Sequence, residues 1–175
     1  GAERLRPFGA RSSGERKNRI DQSPLFRNGK AQNLIETRLG LNRKFFGAMQ
    51  RYFRGGQEPD VSLPVIQPSF AADPARELTI TWLGHSAVVV ELDGVRILTD
   101  PMLSERASPF QAVGPKRFHV APVEVADLPA LDAVVISHDH YDHLDMDTVA
   151  ALGALATRFI VPLGVGAHLE AWGVG

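Results

Sequence analysis

The chain has 175 residues, 44% of them hydrophobic and 22% charged, with a net charge of −1 and no cysteine. That length is enough for one domain with a real core. Without thiols, disulfide and thiolate chemistry are excluded, and no run of eighteen apolar residues reads as a membrane span. In chain order, residues 1–30 are rich in Arg, Gly, Ser and Asn and show little period, which predicts a mobile or wrapping arm. Residues 31–54, AQNLIETRLGLNRKFFGAMQRYFR, place Leu34, Ile35, Leu39, Leu41, Phe45, Phe46, Met49, Tyr52 and Phe53 on one broad helical face. Arg43, Lys44, Arg51 and Arg54 fall on the other, although Gly40 and Gly47 weaken the helix. Its aromatic face can pack on the domain, or the helix can lie on an anionic bilayer.

Charge divides the same way. Residues 1–54 hold 13 Lys/Arg against 4 Asp/Glu, and residues 55–175 hold 6 against 16. A basic arm on an acidic body suggests an anionic partner or contact between the two parts. The chain opens on Gly1, so the lack of a signal peptide fixes no compartment. A cytoplasmic or peripheral-membrane location is the expectation.

After an extended, proline-marked linker to residue 77, the period changes to that of strands. LTITWL, SAVVVEL and VRILTD read as three, the last two joined by Asp93-Gly94, a pair favoured in type I′ hairpin turns. Residues 101–130 hold five prolines and read as a long ordered loop. ALDAVVIS reads as a buried strand, DMDTVAALGAL as a helix, RFIVPL as a strand and GAHLEAWG as a short helix. The order predicts an α/β domain over 78–175, a mixed sheet with helices on one face.

The run ISHDHYDH, residues 136–143, carries the chemistry. In an extended segment His138 and His140 point the same way and can grip one metal ion. The turn that follows lets Asp142 and His143 face a neighbouring point. Imidazole and carboxylate are donors that zinc accepts. Two zinc ions about 3.5–4 Å apart can hold a bridging hydroxide and clamp an ester or phosphate oxygen. A strand end is a rigid place from which to aim such ligands. The alternative is a solvated turn with accidental histidines.

HDHYDH resembles the HxHxDH signature of the metallo-β-lactamase superfamily. TWLGHSAVVVEL, LTDPMLSERASP, GPKRF, ISHDHYDHLD and LPVIQPSF resemble its N-acyl-phosphatidylethanolamine phospholipase D-like branch, over about residues 60–172. The resemblance implies an αβ/βα sandwich and two Zn²⁺ in the complete protein. His138 and His140 would hold the first ion. Asp142 and His143 would hold the second, with Asp142 orienting the nucleophilic water. Asp100, at the end of LTD, would support the ligands, or is simply a turn residue before Pro101. The superfamily's further ligands come from a second half, so the chain resembles the N-terminal half of a longer enzyme, inactive by itself.

Other side chains keep two readings. His85 lines the cleft or is a hydrogen-bonded structural histidine. Lys116 and Arg117 approach an anionic substrate or lie in a solvated loop. Tyr141 packs the turn or points at substrate, and Asp139 and Asp145 cap it. His119 reads as a surface residue and His168 as part of a helix face. The leading expectation is zinc-dependent hydrolysis of a phosphodiester in a phospholipid-like substrate. A lactonase or ester hydrolase of the same fold is the first alternative. A non-catalytic fragment or anion- and membrane-binding module is the second. No stacking-aromatic or recognition-helix pattern suggests nucleic acid. An unpaired sheet face suggests a partner or a second copy, a homo-oligomer.

Overall fold

The structure, a computed structural model, describes residues 3–35, 47, 50, 54, 56, 58–155 and 158–175. Its centre is a five-stranded mixed sheet in the order β3-β4-β5-β6-β7. The strands are β3 (Thr79–Gly84), β4 (Ala87–Leu92), β5 (Val95–Thr99), β6 (Ala133–Val135) and β7 (Phe159–Ile160). The first three form an antiparallel meander, and β6 and β7 add in parallel.

The β4–β5 hairpin closes on Asp93 and Gly94, both left-handed at φ 52° and 78°, with Leu92 opposite Val95. Those two positive angles suit the right-handed twist of the flanking strands, which is why Asp-Gly occupies the turn.

Alternation gives the sheet one dry face. Val89, Leu98 and Val134 sit side by side in register and are fully buried. Onto them pack Val149 and Leu152 of α2 (Met146–Gly153), Leu169 of α3 (Gly166–Ala171) and Trp172. Each fully buried aliphatic side chain contributes about 1.5–3 kcal/mol. Ile80, Trp82 and Ile160 on the other face stay largely exposed.

One pair breaks the apolar rule. Glu91 and Arg96 are cross-strand partners on the dry face near the hairpin, and Arg96 has no exposed surface. Its Nε donates to Glu91 Oε1 at 2.7 Å, and its Nη groups donate to the carbonyls of Ala71 and Ala130. A partner on each of the three guanidinium nitrogens makes the buried charge tolerable. It also ties the linker and the long loop to the sheet.

The ends of the predicted strands differ from the structure. ALDAVVIS pairs only over Ala133–Val135, because Asp132 turns its carboxylate onto the Arg96 amide and Ser137 bonds to a side chain. RFIVPL pairs only over Phe159–Ile160, the last strand before Pro162. Residues 1–30 hold more regular structure than their composition suggested: a 3₁₀ turn at Glu3–Phe8, helix α1 (Gly14–Asp21), and a short hairpin of β1 (Phe26–Arg27) and β2 (Lys30–Ala31). This segment lies along α3. Arg6 O accepts the Trp172 indole, Ala10 N donates to His168 Nδ1, and Arg16 pairs with Glu170. Gly9, at φ 65°, lies so close that a Cβ would sit 1.9 Å from His168 Nδ1. The helix predicted over 31–54 lies for the most part outside the described residues, and its first residue, Ala31, ends β2 instead. No described helix is long and apolar enough to cross a membrane.

Candidate metal centre

Three turns meet at one edge of the sheet because of its register. Gly84 pairs with Ala87 across the β3–β4 turn, Val88 with Thr99, and Thr99 with Val135. The start of β4 and the ends of β3, β5 and β6 are therefore neighbours. His85 leaves the first turn, Asp100 ends β5, and the histidine run follows β6.

Asp100 organises the edge. Its backbone is left-handed at φ 38°, and its N–H donates to Val135 O at 2.8 Å. Its carboxylate accepts from Ser137 N at 2.7 Å, Ser137 Oγ at 2.8 Å and His143 Nδ1 at 3.0 Å. Burial alone would raise its pKa. The hydrogen bonds from the Ser137 amide, His143 and the Ser137 hydroxyl, with the His143 charge, outweigh burial and hold it below the ordinary carboxylate range. With Nδ1 engaged by Asp100, His143 presents Nε2 to Asp142 Oδ2 at 3.5 Å.

The run itself folds as a turn: His143 N and Leu144 N both donate to His140 O. This clusters the rings edge to face or tilted. His138 lies 4.5 Å from His140 and 4.1 Å from His143 between centroids, and His85 lies 5.2 Å from His143. His85 Nε2 meets Asp142 Oδ2 at 2.9 Å. Burial would raise the Asp142 pKa, but its own backbone amide and the imidazoles of His143 and His85 reverse that and lower it.

The donors suit a metal. One atom each of His85, Asp142 and His143 lie within 4.8 Å of one another. Zinc bonds of about 2.0–2.2 Å put neighbouring donors of a tetrahedron about 3.3–3.6 Å apart. The 2.9 and 3.5 Å separations around Asp142 need only small movements to reach that. The Asp100–His143 contact is the carboxylate–imidazole arrangement that fixes the tautomer of a metal-bound histidine.

Residues 95–175 match the family described as the beta-lactamase superfamily domain. Relatives carry the likeness further upstream. An uncharacterised protein of Mycobacterium tuberculosis is 47% identical over 161 residues, covering 88% of this chain and 43% of the relative. An N-acyl-phosphatidylethanolamine-hydrolyzing phospholipase D of Caenorhabditis elegans is 46% identical over 100 residues, 56% of this chain and 28% of that protein. A metal-dependent hydrolase of Pyrobaculum neutrophilum is 37% identical over 79 residues, 44% of this chain and 30% of that protein. Over residues 95–175 the chain carries a domain of the metallo-β-lactamase superfamily. It spans less than half the length of the curated relatives it matches.

The edge opens onto a cleft of about 710 Å³. His85, His140, Tyr141 and Asp142 line it, as do Lys116 and Arg117, so the candidate site residues singled out in sequence converge there except His138, His143 and Asp100. His138 and His143 stand behind that wall, joined to it through ring contacts. Lys116 is not a free cation: its amine pairs with Glu105 at 2.5 Å. Arg117 donates to Met102 O, and its Nε is buried with no partner among the described residues. Burial lowers the Arg117 pKa against the opposing charge of Asp145.

His119 corrects the surface reading. Half-buried, it lines the cleft and packs with Arg117 on Gly84, whose missing Cβ leaves them room. The proline-rich loop that brings it there has no period to read. Asp145 sits at the N-cap position of α2, but its carboxylate accepts from Thr148 Oγ1 and Ser104 N, not from the helix's first amides. Asp139 is exposed and 4.0 Å from His168 Nε2. His168 lies on α3, stacked on Trp172 and bonded to Ala10. Ser137, which joins Asp100 to His138, was missed in sequence; its only signal was a place between a strand and the first histidine.

Proposed function

We propose that the complete protein is a metal-dependent hydrolase of phosphodiesters in phospholipid-like substrates. The observation that carries the reading is the convergence of four imidazoles and the carboxylates of Asp100 and Asp142 at one edge, beside a cleft with a largely apolar wall. The phospholipase D name of the nematode relative supports the substrate class. His138 and His140 would hold one divalent ion, zinc by donor type, and Asp142 and His143 a second. Bound there, such ions supply an activated water and offset charge on the phosphate.

The chain's own residues do the rest. Asp100 holds the His143 proton at Nδ1 and leaves the Nε2 lone pair free. Ser137 locks Asp100 in place through amide and hydroxyl together. Asp142, kept ionised, carries the charge that orients water at the cleft wall. Leu63, Trp82, Met102 and Phe118 form an apolar wall against which an acyl chain can lie and exclude water. Arg117 supplies positive charge near the phosphate. The overall reaction adds water to phosphorus and releases an alcohol, leaving a phosphomonoester. The basic stretch 31–54 is proposed to bring the cleft to an anionic bilayer.

The test is turnover of N-acyl-phosphatidylethanolamine and of lactones by the full-length protein, with metal content measured on the same sample. Release of phosphatidic acid, lost with a chelator, supports the reading. Lactone cleavage without phosphodiester turnover moves the assignment to carboxylic-ester hydrolysis. Salt-sensitive liposome binding that vanishes on deleting 31–54 checks the membrane contact.

A further inference from the structure

We propose that Arg117 and His119, seated together on Gly84, form a head-group subsite in the cleft. The guanidinium takes an anionic phosphate oxygen, and His119 Nε2 accepts a hydrogen bond from a hydroxyl or N–H on the same head group. The inference rests on reading the cleft as a phosphodiester site and names the chemistry of the head group it selects.

The first observation is a cation without a counter-ion. Arg117 lines the cleft, and among the described residues only its Nη2 has a hydrogen-bond partner, the carbonyl of Met102. Its Nε is buried and unpaired among them. The opposing charge is Asp145, but Asp145 Oδ2 already accepts from Ser104 N and Thr148 Oγ1. Arg96 shows how this chain treats a structural arginine: each of its three nitrogens has a partner, and the Glu91 carboxylate neutralises it. Arg117 has one carbonyl and, among the described residues, no ion pair. A guanidinium matches phosphate oxygens in geometry, and a positive charge with free donors in a cleft draws an anion.

The second is a free acceptor beside it. His119 Nδ1 lies 2.7 Å from Val120 O, and a carbonyl only accepts, so Nδ1 carries the proton. In the neutral ring Nε2 is then a lone pair at the cleft wall. The third is the seat. A Cβ on Gly84 would lie 2.7 Å from Arg117 Nη1, 3.1 Å from His119 Cε1 and 3.5 Å from His119 Nε2. Both side chains close on one point of backbone that only glycine leaves open, so one ligand can meet both. Gly84 directly precedes His85, which bonds to Asp142, and the subsite therefore adjoins the edge proposed to hold metal. An anion alone would meet the His119 lone pair unfavourably. An anion that carries its own hydroxyl or N–H satisfies both groups.

Binding to the metal-free full-length protein tests this apart from any turnover or metal–phosphate contact. The probes are 2-hydroxyethyl phosphate and ethyl phosphate, titrated at about pH 8 by ligand-observed NMR, where phosphate monoesters are dianions and bring no P–OH of their own. The hydroxyl should tighten binding by about two- to tenfold, the effect of one neutral hydrogen bond, and His119→Phe should bring that ratio to about one. Arg117→Met should weaken both esters by about ten- to hundredfold, the loss of a charge-assisted hydrogen bond. Arg117→Lys keeps the charge without the planar fork and should fall between parent and Arg117→Met. Equal binding of the two esters by the parent makes this a plain phosphate site and overturns the head-group assignment. A hydroxyl preference that survives His119→Phe, or unchanged affinity in Arg117→Met, overturns it as well. Turnover by the metal-loaded parent separates the two readings. If it cleaves phosphodiesters while Arg117→Met binds both esters like the parent, only this inference falls. If Arg117→Met loses binding while the parent cleaves lactones and no phosphodiester, the subsite stands and the reaction assigned to the cleft falls. Circular dichroism and urea midpoints establish that the variants are folded, and Arg117→Lys carries the comparison if Arg117→Met is not.

Discussion

Asp100→Asn tests whether the edge is organised as described. Asparagine accepts the left-handed backbone, and its remaining oxygen can still accept from Ser137 N. Its NH₂ group replaces Oδ2, which now faces Ser137 Oγ and His143 Nδ1. The hydroxyl can rotate and accept; the imidazole N–H cannot. If His143 keeps its proton on Nδ1, one charge-assisted hydrogen bond is lost, about 1.5–3 kcal/mol. If the proton moves to Nε2, the bond survives but the lone pair on the Asp142 side is gone. Both routes weaken metal binding, by about ten- to hundredfold. We expect the metal-free variant to unfold in urea with about 1–2 kcal/mol less stability at pH 7, the range set by the mixture of tautomers. The pH dependence has a definite sign. The folded pKa of Asp100 lies below its ordinary 3.8, so its contribution is complete above 3.8 and is lost as pH falls through the folded value. The gap between parent and variant should therefore close in acid. A variant that keeps full zinc affinity and the parental urea midpoint at pH 7 would refute the role given to Asp100.

Arg96→Met leaves Glu91 buried without its partner and should cost about 3–5 kcal/mol in urea unfolding, whereas Arg96→Met with Glu91→Leu should recover most of it. Gly84→Ala places a Cβ 2.7 Å from Arg117 Nη1 at φ 103°, so both melting temperature and zinc affinity should fall. Zinc at a hundred times its dissociation constant should stabilise the parent by about 2.7 kcal/mol, and a chelator should remove the gain in a thermal melt.

The strands were legible because their period-two pattern and Asp93-Gly94 are local signals. The same pattern also marked Glu91 and Arg96: each lies two positions from a buried residue, Val89 and Leu98, so alternation puts both charges inside. Their pairing could be read only once the hairpin register was known. The histidine turn was legible from spacing, but its organisation was not. Asp100 reaches Ser137 and His143 across 37 and 43 residues, and His85 reaches Asp142 across 57. No local period encodes such contacts. His119 illustrates the same limit, since a proline-rich loop gives no periodicity from which to infer that a side chain turns inward.

Two non-glycine residues at the site edge, His85 and Asp100, have left-handed backbones, at φ 49° and 38°. A left-handed backbone costs most side chains about 1–2 kcal/mol. His85→Gly removes that cost and the His85–Asp142 contact together. The contact is half-exposed and contributes little to stability; the entropy that glycine adds to the unfolded chain opposes the relief by roughly 0.5–1 kcal/mol. Stability of the metal-free chain should therefore stay the same or rise slightly, while zinc affinity drops. Opposite movement of the two is the mark of a residue kept for binding and not for folding. A variant that loses stability and zinc affinity in step would instead make the turn an ordinary structural element. The strained backbone at this edge would then have no chemical purpose that these residues explain.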